Sequence, residues 1–283
     1  MAAIRWVLLT FLSASLFPAW ATQAAETGKA APLVIGETFT LDSKVLGETR
    51  RINVYLPPGY AEAPEARLPV LYMPDGGIGE DFLHVAGLVQ ISSLNGTMRP
   101  HVLVGIENTQ RRRDLTGPTE VAEDKKIAPV VGGSAAFRRF LREELMPQVR
   151  QRYRTTEETA IVGESLAGLF VVETFFLEPD LFDSYLAFDP SLWWNDEALV
   201  KGACEKLTAR PALAKTVYFA SSDEKDIAAA SQRLADALVR CAPKAVRWYH
   251  EKMPEEKHST IFHPAALRAF RSVFKPAPAA GSR

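Results

Sequence analysis

The segment Gly-Glu-Ser-Leu-Ala-Gly at residues 163–168 constrains the fold of this chain more than any other feature. An apolar run precedes it at residues 159–162, and a helix-like apolar run follows at 169–176. This pattern predicts a strand, a sharp turn with Ser165 at its apex, and a helix. Such a turn needs small residues beside the serine, because larger side chains would collide with the strand or the helix. The serine hydroxyl would then stand clear of the sheet, with the N–H of Leu166 at the helix N-terminus, where it can bind a developing oxyanion.

Other runs of the chain predict strands that alternate with helices. Nearly continuous apolar stretches at 68–72, 101–106, 184–188 and 216–220 are typical of strands buried on both faces, and 246–249 is expected to be the last strand. Residues 51–56 alternate between apolar and polar, which indicates an edge or antiparallel strand. Helices are expected from Ser134, over 227–238 and over 264–274, and Pro147 should kink or end the first of these. The alternation predicts an α/β fold with a mostly parallel central sheet and helices on both faces.

The first residues of the chain have the features of a secretory signal. Residues 1–5 form a short positive region that ends at Arg5, residues 6–17 are mainly apolar, and Ala19-Trp20-Ala21 provides a small-x-small cleavage site. This apolar run is too short to span a bilayer, and no later run reaches that length. We therefore predict a signal peptide at 1–21, a single domain at 22–275 and a disordered tail at 276–283, in a protein that is periplasmic or secreted.

Composition limits the partners of the protein. The 283 residues carry a formal net charge of -1, so the chain has no overall basic field of the kind that nucleic acids attract. The chain has two cysteines, Cys204 and Cys241, and export to an oxidising compartment makes a disulfide between them plausible. Two separate thiols are the alternative. The oligomeric state stays open.

A serine nucleophile needs a histidine to take its proton and a carboxylate to orient that histidine. In hydrolases that place the serine on such a turn, the order along the chain is serine, acid, histidine. Of the histidines after the serine, His258 lies in a polar loop just beyond the last predicted strand, which favours it over His263. The acid is expected in the loop after the penultimate strand, where Glu224 is preferred and Asp223 and Asp226 are alternatives.

Three further groups of residues are candidates for the site. Gly76, in the turn after an early strand, is the predicted second oxyanion donor; the alternative is that it only turns the chain. Arginines at 111–113 follow another strand and could bind an anionic group through paired hydrogen bonds, or could form a solvated charged run. Trp193 and Trp194 could line an aromatic pocket, or one of them could fill the core.

Histidines and glutamates crowd residues 250–263, which raises the alternative of a metal site. The spacing of His258 and His263 does not place both on one helix face, and no H-E-x-x-H motif or cysteine cluster is present. We therefore expect neither a metal nor an organic cofactor.

Together these residues resemble the putative-esterase family of α/β hydrolases, over about residues 47–274. This family includes periplasmic siderophore trilactone esterases, S-formylglutathione hydrolases, feruloyl and acetylxylan esterases, and mycolyltransferases. The most specific stretches are 108–116, 132–137, the serine turn and 189–194, and the combination is most similar to the siderophore esterases. The resemblance implies Ser165 as nucleophile, His258 as base, oxyanion donors near Gly76 and Leu166, and Arg111 or Arg113 beside the acyl or catecholate side of the cleft.

The chain departs from the family pattern at three positions near the site. Ala167 replaces the usual last glycine of the turn, Glu164 stands where the family often has histidine, and Asp189 stands where it often has serine. Because residues 164 and 189 flank the active site, these departures bear on substrate preference more than on the chemistry.

The function predicted from the sequence is an exported serine esterase that works through an acyl-enzyme intermediate on a small-molecule ester. A trilactone siderophore is one such ester. Alternatives on the same fold are an acyltransferase and a carbohydrate or feruloyl esterase. An alternative of another class is a binding protein that has kept the fold and lost activity.

Overall fold

The computed structural model of the protein describes residues 30–276. Strands alternate with helices along the chain, and the strands form one eight-stranded sheet. The strands are β1 (Glu37–Ser43), β2 (Glu48–Tyr55), β3 (Leu68–Pro74), β4 (Val102–Ile106), β5 (Thr155–Glu164), β6 (Ser184–Phe188), β7 (Thr216–Ser221) and β8 (Arg247–Lys252). The helices are α1 (Phe82–Leu94), α2 (Arg111–Asp114), α3 (Ser134–Phe140), α4 (Met146–Arg152), α5 (Leu166–Leu177), α6 (Trp194–Lys201), α7 (Ala203–Thr208), α8 (Lys225–Cys241) and α9 (Phe262–Val273). A 3₁₀ turn lies at Asp124–Lys126 and a π-helical turn at Leu141–Leu145.

The strand order is β1-β2-β4-β3-β5-β6-β7-β8. The pairs β1–β2 and β2–β4 are antiparallel, and every other neighbouring pair is parallel. This arrangement confirms the prediction of a mostly parallel sheet with an antiparallel strand over residues 51–56. The carboxyl ends of β3, β5, β6 and β7 therefore lie along one edge of the sheet, which is where open α/β sheets bind ligands.

Two apolar cores cover the two faces of the sheet. One contains buried residues of α3, α4, α5, α7 and α8, and the other contains those of α1 and α9. Strand β3 serves both cores, because Val70 and Tyr72 belong to the first and Leu71 and Met73 to the second. This alternation along one strand explains the continuous apolar runs in the sequence.

The long helix predicted from Ser134 is interrupted, but not at the proline. The π-helical turn separates α3 from α4, and the N–H of Met146 donates to the carbonyl of Leu141, five residues back. Pro147 lies in the first turn of α4, where its missing N–H removes no hydrogen bond of that helix. The chain therefore continues as a helix to Arg152.

The ends of the chain have to be considered separately. Residues 30–35 have no regular secondary structure and belong to a different compact unit from the one that begins at Gly36. The predicted signal peptide at 1–21 and residues 277–283 of the predicted tail lie outside the described residues. Among residues 30–276, no helix combines the length and apolar character needed to cross a membrane.

Candidate active site

Ser165 occupies the sharp turn between β5 and α5, with φ of 60° and ψ of -120°. Non-glycine residues rarely adopt a positive φ, and such backbone strain is concentrated at functional sites. Gly163 permits the turn, because a Cβ at this position would lie 2.7 Å from both the backbone carbon and the Cβ of Ala167. Because Gly163 has no side chain, the methyl group of Ala167 fits beside it. Alanine is therefore accommodated at position 167, where the usual serine-turn motif has glycine.

The residue directly after each of three neighbouring strands has a positive φ. Asp75 follows β3 with φ of 56°, Ser165 follows β5, and Asp189 follows β6 with φ of 42°. Backbone bonds tie two of these turns to adjacent strands, since the N–H of Ser165 donates to Phe188 and the N–H of Asp189 donates to Ala220. The sheet thereby places a hydroxyl and two carboxylates at one edge.

His258 lies in the turn between β8 and α9, as the sequence predicted, and its ring reaches the serine. Its Nε2 is 3.1 Å from Ser165 Oγ. Its Nδ1 is 2.9 Å from Asp189 Oδ2, and this hydrogen bond is the main reason that the pKa of His258 is raised. With Nδ1–H directed at a carboxylate, the neutral imidazole has its lone pair on Nε2, facing the serine hydroxyl. A hydroxyl, an imidazole and a carboxylate thus form one continuous chain of hydrogen bonds.

Asp189, rather than Glu224, is the carboxylate that binds the imidazole, which corrects the expectation from the sequence. Asp189 is fully buried, and both of its oxygens accept further hydrogen bonds at 2.6 Å from Ser222, one from the backbone N–H and one from the hydroxyl. Glu224 is exposed at the N-terminus of α8. Among the described residues, neither Glu224, Asp223 nor Asp226 hydrogen-bonds to the ring.

Glu164, the last residue of β5, brings a second carboxylate to the same side of the imidazole. Its Oε1 is 3.3 Å from Nδ1 of His258, and its side chain is only 16% exposed. Burial raises the pKa of Glu164 to about 8, against the opposing effects of His258 and Arg111. Burial therefore disfavours the ionised carboxylate, and the charges around Glu164 decide when it loses its proton.

Of the two predicted oxyanion donors, Leu166 has a backbone N–H that is free of helix hydrogen bonds, whereas the backbone N–H of Gly76 is already bonded. The N–H of Leu166 lies in the first turn of α5, where helix geometry provides no partner for it. The N–H of Gly76 donates to the carbonyl of Ile106 at 2.9 Å, so the expectation for Gly76 is corrected. This glycine permits close backbone approach instead, because a Cβ there would lie 2.3 Å from Gly105 Cα.

The two arginines expected to contact substrate are held in ion pairs. Arg111 binds Asp75 with two hydrogen bonds, of 2.7 and 2.8 Å. Arg113 bonds to Glu48 and Asp114, at 2.8 and 2.6 Å. Both guanidiniums are therefore paired with carboxylates of the protein, unlike the free anion clamp that the sequence suggested.

A cleft of about 470 Å³ lies beside these arginines. Its walls are residues 110–113 on one side and 128–130 on the other. Arg111 links the cleft to the site, because it lines the cleft and its charge lowers the pKa of Glu164.

The two tryptophans divide between surface and core. Trp193 is 36% exposed, while Trp194 is 4% exposed and donates its indole N–H to the carbonyl of Gly117. Trp194 therefore fills the core, which corrects its assignment to a substrate pocket. Trp193 is the exposed member of the pair.

The remaining histidines of the carboxyl-terminal half belong to other surroundings. The ring of His263 lies 5.5 Å from that of His84, and the ring of His250 stacks on Phe219 at 4.6 Å. Within residues 30–276, no three histidine, cysteine or carboxylate side chains are grouped closely enough to hold a metal ion. Cys204 and Cys241 are joined as a disulfide between α7 and α8.

Comparison with known proteins gives concordant matches in sequence and structure. The family described as "Putative esterase" matches residues 43–268. The ferri-bacillibactin esterase BesA of Bacillus subtilis is 30% identical over 168 residues, which cover 54% of this chain and 58% of that protein. The siderophore triacetylfusarinine C esterase of Aspergillus fumigatus is 31% identical over 192 residues, 61% of each chain. This chain thus spans less than two thirds of the length of either relative.

A solved structure shows a similar fold. The IroE-like serine hydrolase of Shewanella oneidensis is 29% identical and superposes with a TM-score of 0.76, over 85% of this chain and 80% of that one. The match confirms the α/β-hydrolase fold predicted from the sequence. With the family match extending from β1 to α9, we conclude that this chain belongs to the esterase family described as "Putative esterase".

Proposed function

We propose that this protein is a serine carboxylic-ester hydrolase in which Ser165, His258 and Asp189 form the catalytic triad. The observation that carries the proposal is the hydrogen-bonded chain from Ser165 Oγ through the imidazole to Asp189, at 3.1 and 2.9 Å. Both distances are within the range over which a proton can be transferred between catalytic groups.

In the proposed reaction, Ser165 Oγ attacks the ester carbonyl while His258 Nε2 takes the hydroxyl proton. Asp189 keeps the Nδ1 proton in place and stabilises the imidazolium that forms. The N–H of Leu166 donates to the oxyanion, a contribution of about 3–4 kcal/mol per donor where it has been measured. The imidazolium then protonates the leaving alcohol, and water hydrolyses the acyl-enzyme by the same route in reverse.

For the substrate, we propose a siderophore ester of the trilactone type. Support comes from the two curated relatives, which are named for the hydrolysis of siderophore esters. The cleft beside Arg111 and the exposed ring of Trp193 offer polar and aromatic surfaces to a bulky ligand. We further propose that the protein is exported, because residues 1–21 have the pattern of a secretory signal and Cys204 is disulfide-bonded to Cys241.

The test compares purified wild-type protein with Ser165→Ala on p-nitrophenyl esters of graded acyl length and on ferric and iron-free catecholate trilactones. We expect hydrolysis by the wild type, labelling of Ser165 by a fluorophosphonate probe, and loss of both in the variant. Turnover of simple esters without trilactone hydrolysis would reject the siderophore substrate only. Equal labelling of wild type and Ser165→Ala would reject the serine mechanism itself.

A further inference from the structure

Two carboxylates face one nitrogen of His258. Nδ1 is 2.9 Å from Asp189 Oδ2 and 3.3 Å from Glu164 Oε1. Asp189 also has two hydrogen bonds from Ser222, whereas Glu164 Oε1 is buried and has no hydrogen-bond partner of normal geometry among the described residues. The imidazole Nδ1–H, 3.3 Å away, is a donor that this buried oxygen can use.

We propose that Glu164 is a positioning residue that shares the Nδ1 proton of His258 with Asp189, so that Glu164 and His258 gain and lose protons as a coupled pair. The proposal deepens the proposed function and uses its ester hydrolysis as one readout. It assigns a role in the reaction to the residue directly before the nucleophile, at the end of β5.

The charged neighbours of Glu164 act in opposite directions. His258 and Arg111 favour its ionised form, while Asp189 and Asp75 favour its protonated form. The two unfavourable carboxylates come from the ends of β6 and β3, and the arginine comes from α2. Burial is the largest influence on the pKa of Glu164, and it acts in the same direction as the two carboxylates.

The charged groups around His258 all raise its pKa. Its hydrogen bond to Asp189 and the charges of Glu164, Asp189 and Glu224 raise its pKa, and only desolvation opposes them. A charge gained by the imidazole therefore favours loss of the proton from Glu164, and ionised Glu164 in turn holds the proton on the imidazole. Two groups that interact this strongly titrate as a pair and not as separate sites.

The test is the pH dependence of kcat/KM for wild type, Glu164→Gln and the matched control Glu224→Gln. Glutamine keeps the shape and a hydrogen-bonding oxygen but removes the charge. We expect the acidic limb in Glu164→Gln to move to lower pH by about 1 unit, the size of effect that a charge within 4–6 Å exerts. Glu224→Gln should shift it less, because Glu224 has no contact with the ring. An unshifted limb in Glu164→Gln, with a measurable wild-type profile, would overturn the coupling and leave the proposed function intact.

A second measurement needs neither a variant at 164 nor activity. The ring nitrogens of His258 can be followed by NMR over pH in ¹⁵N-histidine-labelled wild type, with the signal assigned by its absence in His258→Asn. We expect a titration in two steps, because the imidazole responds to the ionisation of Glu164 as well as to its own. A single-step curve would refute the coupling. Absence of hydrolysis in a protein that shows two steps would count against the proposed function alone.

Discussion

Replacement of Asp189 by asparagine tests the site where the structure and the sequence-based expectation differ. Asparagine has the same shape, and its oxygen can still accept from the backbone N–H of Ser222. Its amide nitrogen is a donor, however, and it would replace the oxygen that now accepts from His258 Nδ1 at 2.9 Å. Two donors cannot bond to each other, so the imidazole would move its proton to Nε2 and present N–H to the serine hydroxyl.

The expected loss follows from this change of tautomer. A histidine with Nε2–H cannot accept the serine proton, and the same substitution in a well-studied serine protease lowers kcat about 10⁴-fold. We expect Asp189→Asn to lower kcat/KM by about 10³–10⁴-fold, which corresponds to about 4–5.5 kcal/mol of transition-state stabilisation. KM should change little, since Asp189 is completely buried and cannot contact substrate.

The assay is steady-state hydrolysis of a p-nitrophenyl ester by wild type, Asp189→Asn and Glu224→Gln, with circular dichroism to verify that each variant is folded. Glu224→Gln is the matched control, because it removes the carboxylate that the sequence favoured and should stay within about threefold of wild type. A loss in Glu224→Gln as large as that in Asp189→Asn would refute our assignment of the acid. A folded Asp189→Asn that keeps more than about a tenth of wild-type activity would refute it too.

Three predictions concern stability. Gly163→Ala should lower the free energy of unfolding by about 1–3 kcal/mol, because its Cβ would lie 2.7 Å from Ala167 in the first turn of α5. Gly87→Ala is the control and should not lower it, because the space around that Cβ is open; thermal denaturation measures both variants. Burial lowers the pKa of His101 in the folded protein to about 4. As the pH falls from about 6.5 to 4, the unfolded state therefore gains a proton on His101 that the folded state does not, and the free energy of unfolding decreases. His101→Gln should remove about 3 kcal/mol of that pH dependence, measured by urea denaturation across this range. Reduction of the disulfide between Cys204 and Cys241, 37 residues apart, should lower the free energy of unfolding by about 4 kcal/mol in denaturation with and without reductant; no change would contradict the loop-entropy argument.

Local patterns in the sequence predicted the sheet well. The predicted strand at 184–188 coincides with β6, and the runs at 68–72, 101–106 and 216–220 fall within or one residue beyond observed strands. Such runs carry their own signal, because a strand buried on both faces has to be apolar at nearly every position. Helix α1 received no prediction: apolar residues lie all round it, including the exposed Leu83 and Ile91, so it shows no one-sided pattern.

The acid was harder to predict because its identity depends on the distance between strand ends. Asp189 follows β6, which is hydrogen-bonded directly to β5, whereas the loop with Glu224 follows β7, one strand further away. Neighbouring strands are about 4.8 Å apart, so the residue after β6 starts closer to Ser165 than the residues after β7 do. A sequence signal for Asp189 did exist, namely a single carboxylate directly after a mainly apolar strand. Only the order of strands in the sheet gives that signal its meaning.

The carboxylates after β7 take a different part in the site, which explains why this loop has the appearance of a catalytic one. Asp223 donates its backbone N–H to the carbonyl of Glu256 at 3.1 Å, and its side chain is ion-paired with Lys257. These contacts fix the two residues directly before His258. The imidazole of His258 contacts a serine at the end of β5 and an aspartate at the end of β6. The loop that carries His258 is bonded to residues at the end of a third strand, β7. The end of β7 supplies that support, whereas the carboxylates in direct contact with Nδ1 of His258 are Asp189 and Glu164.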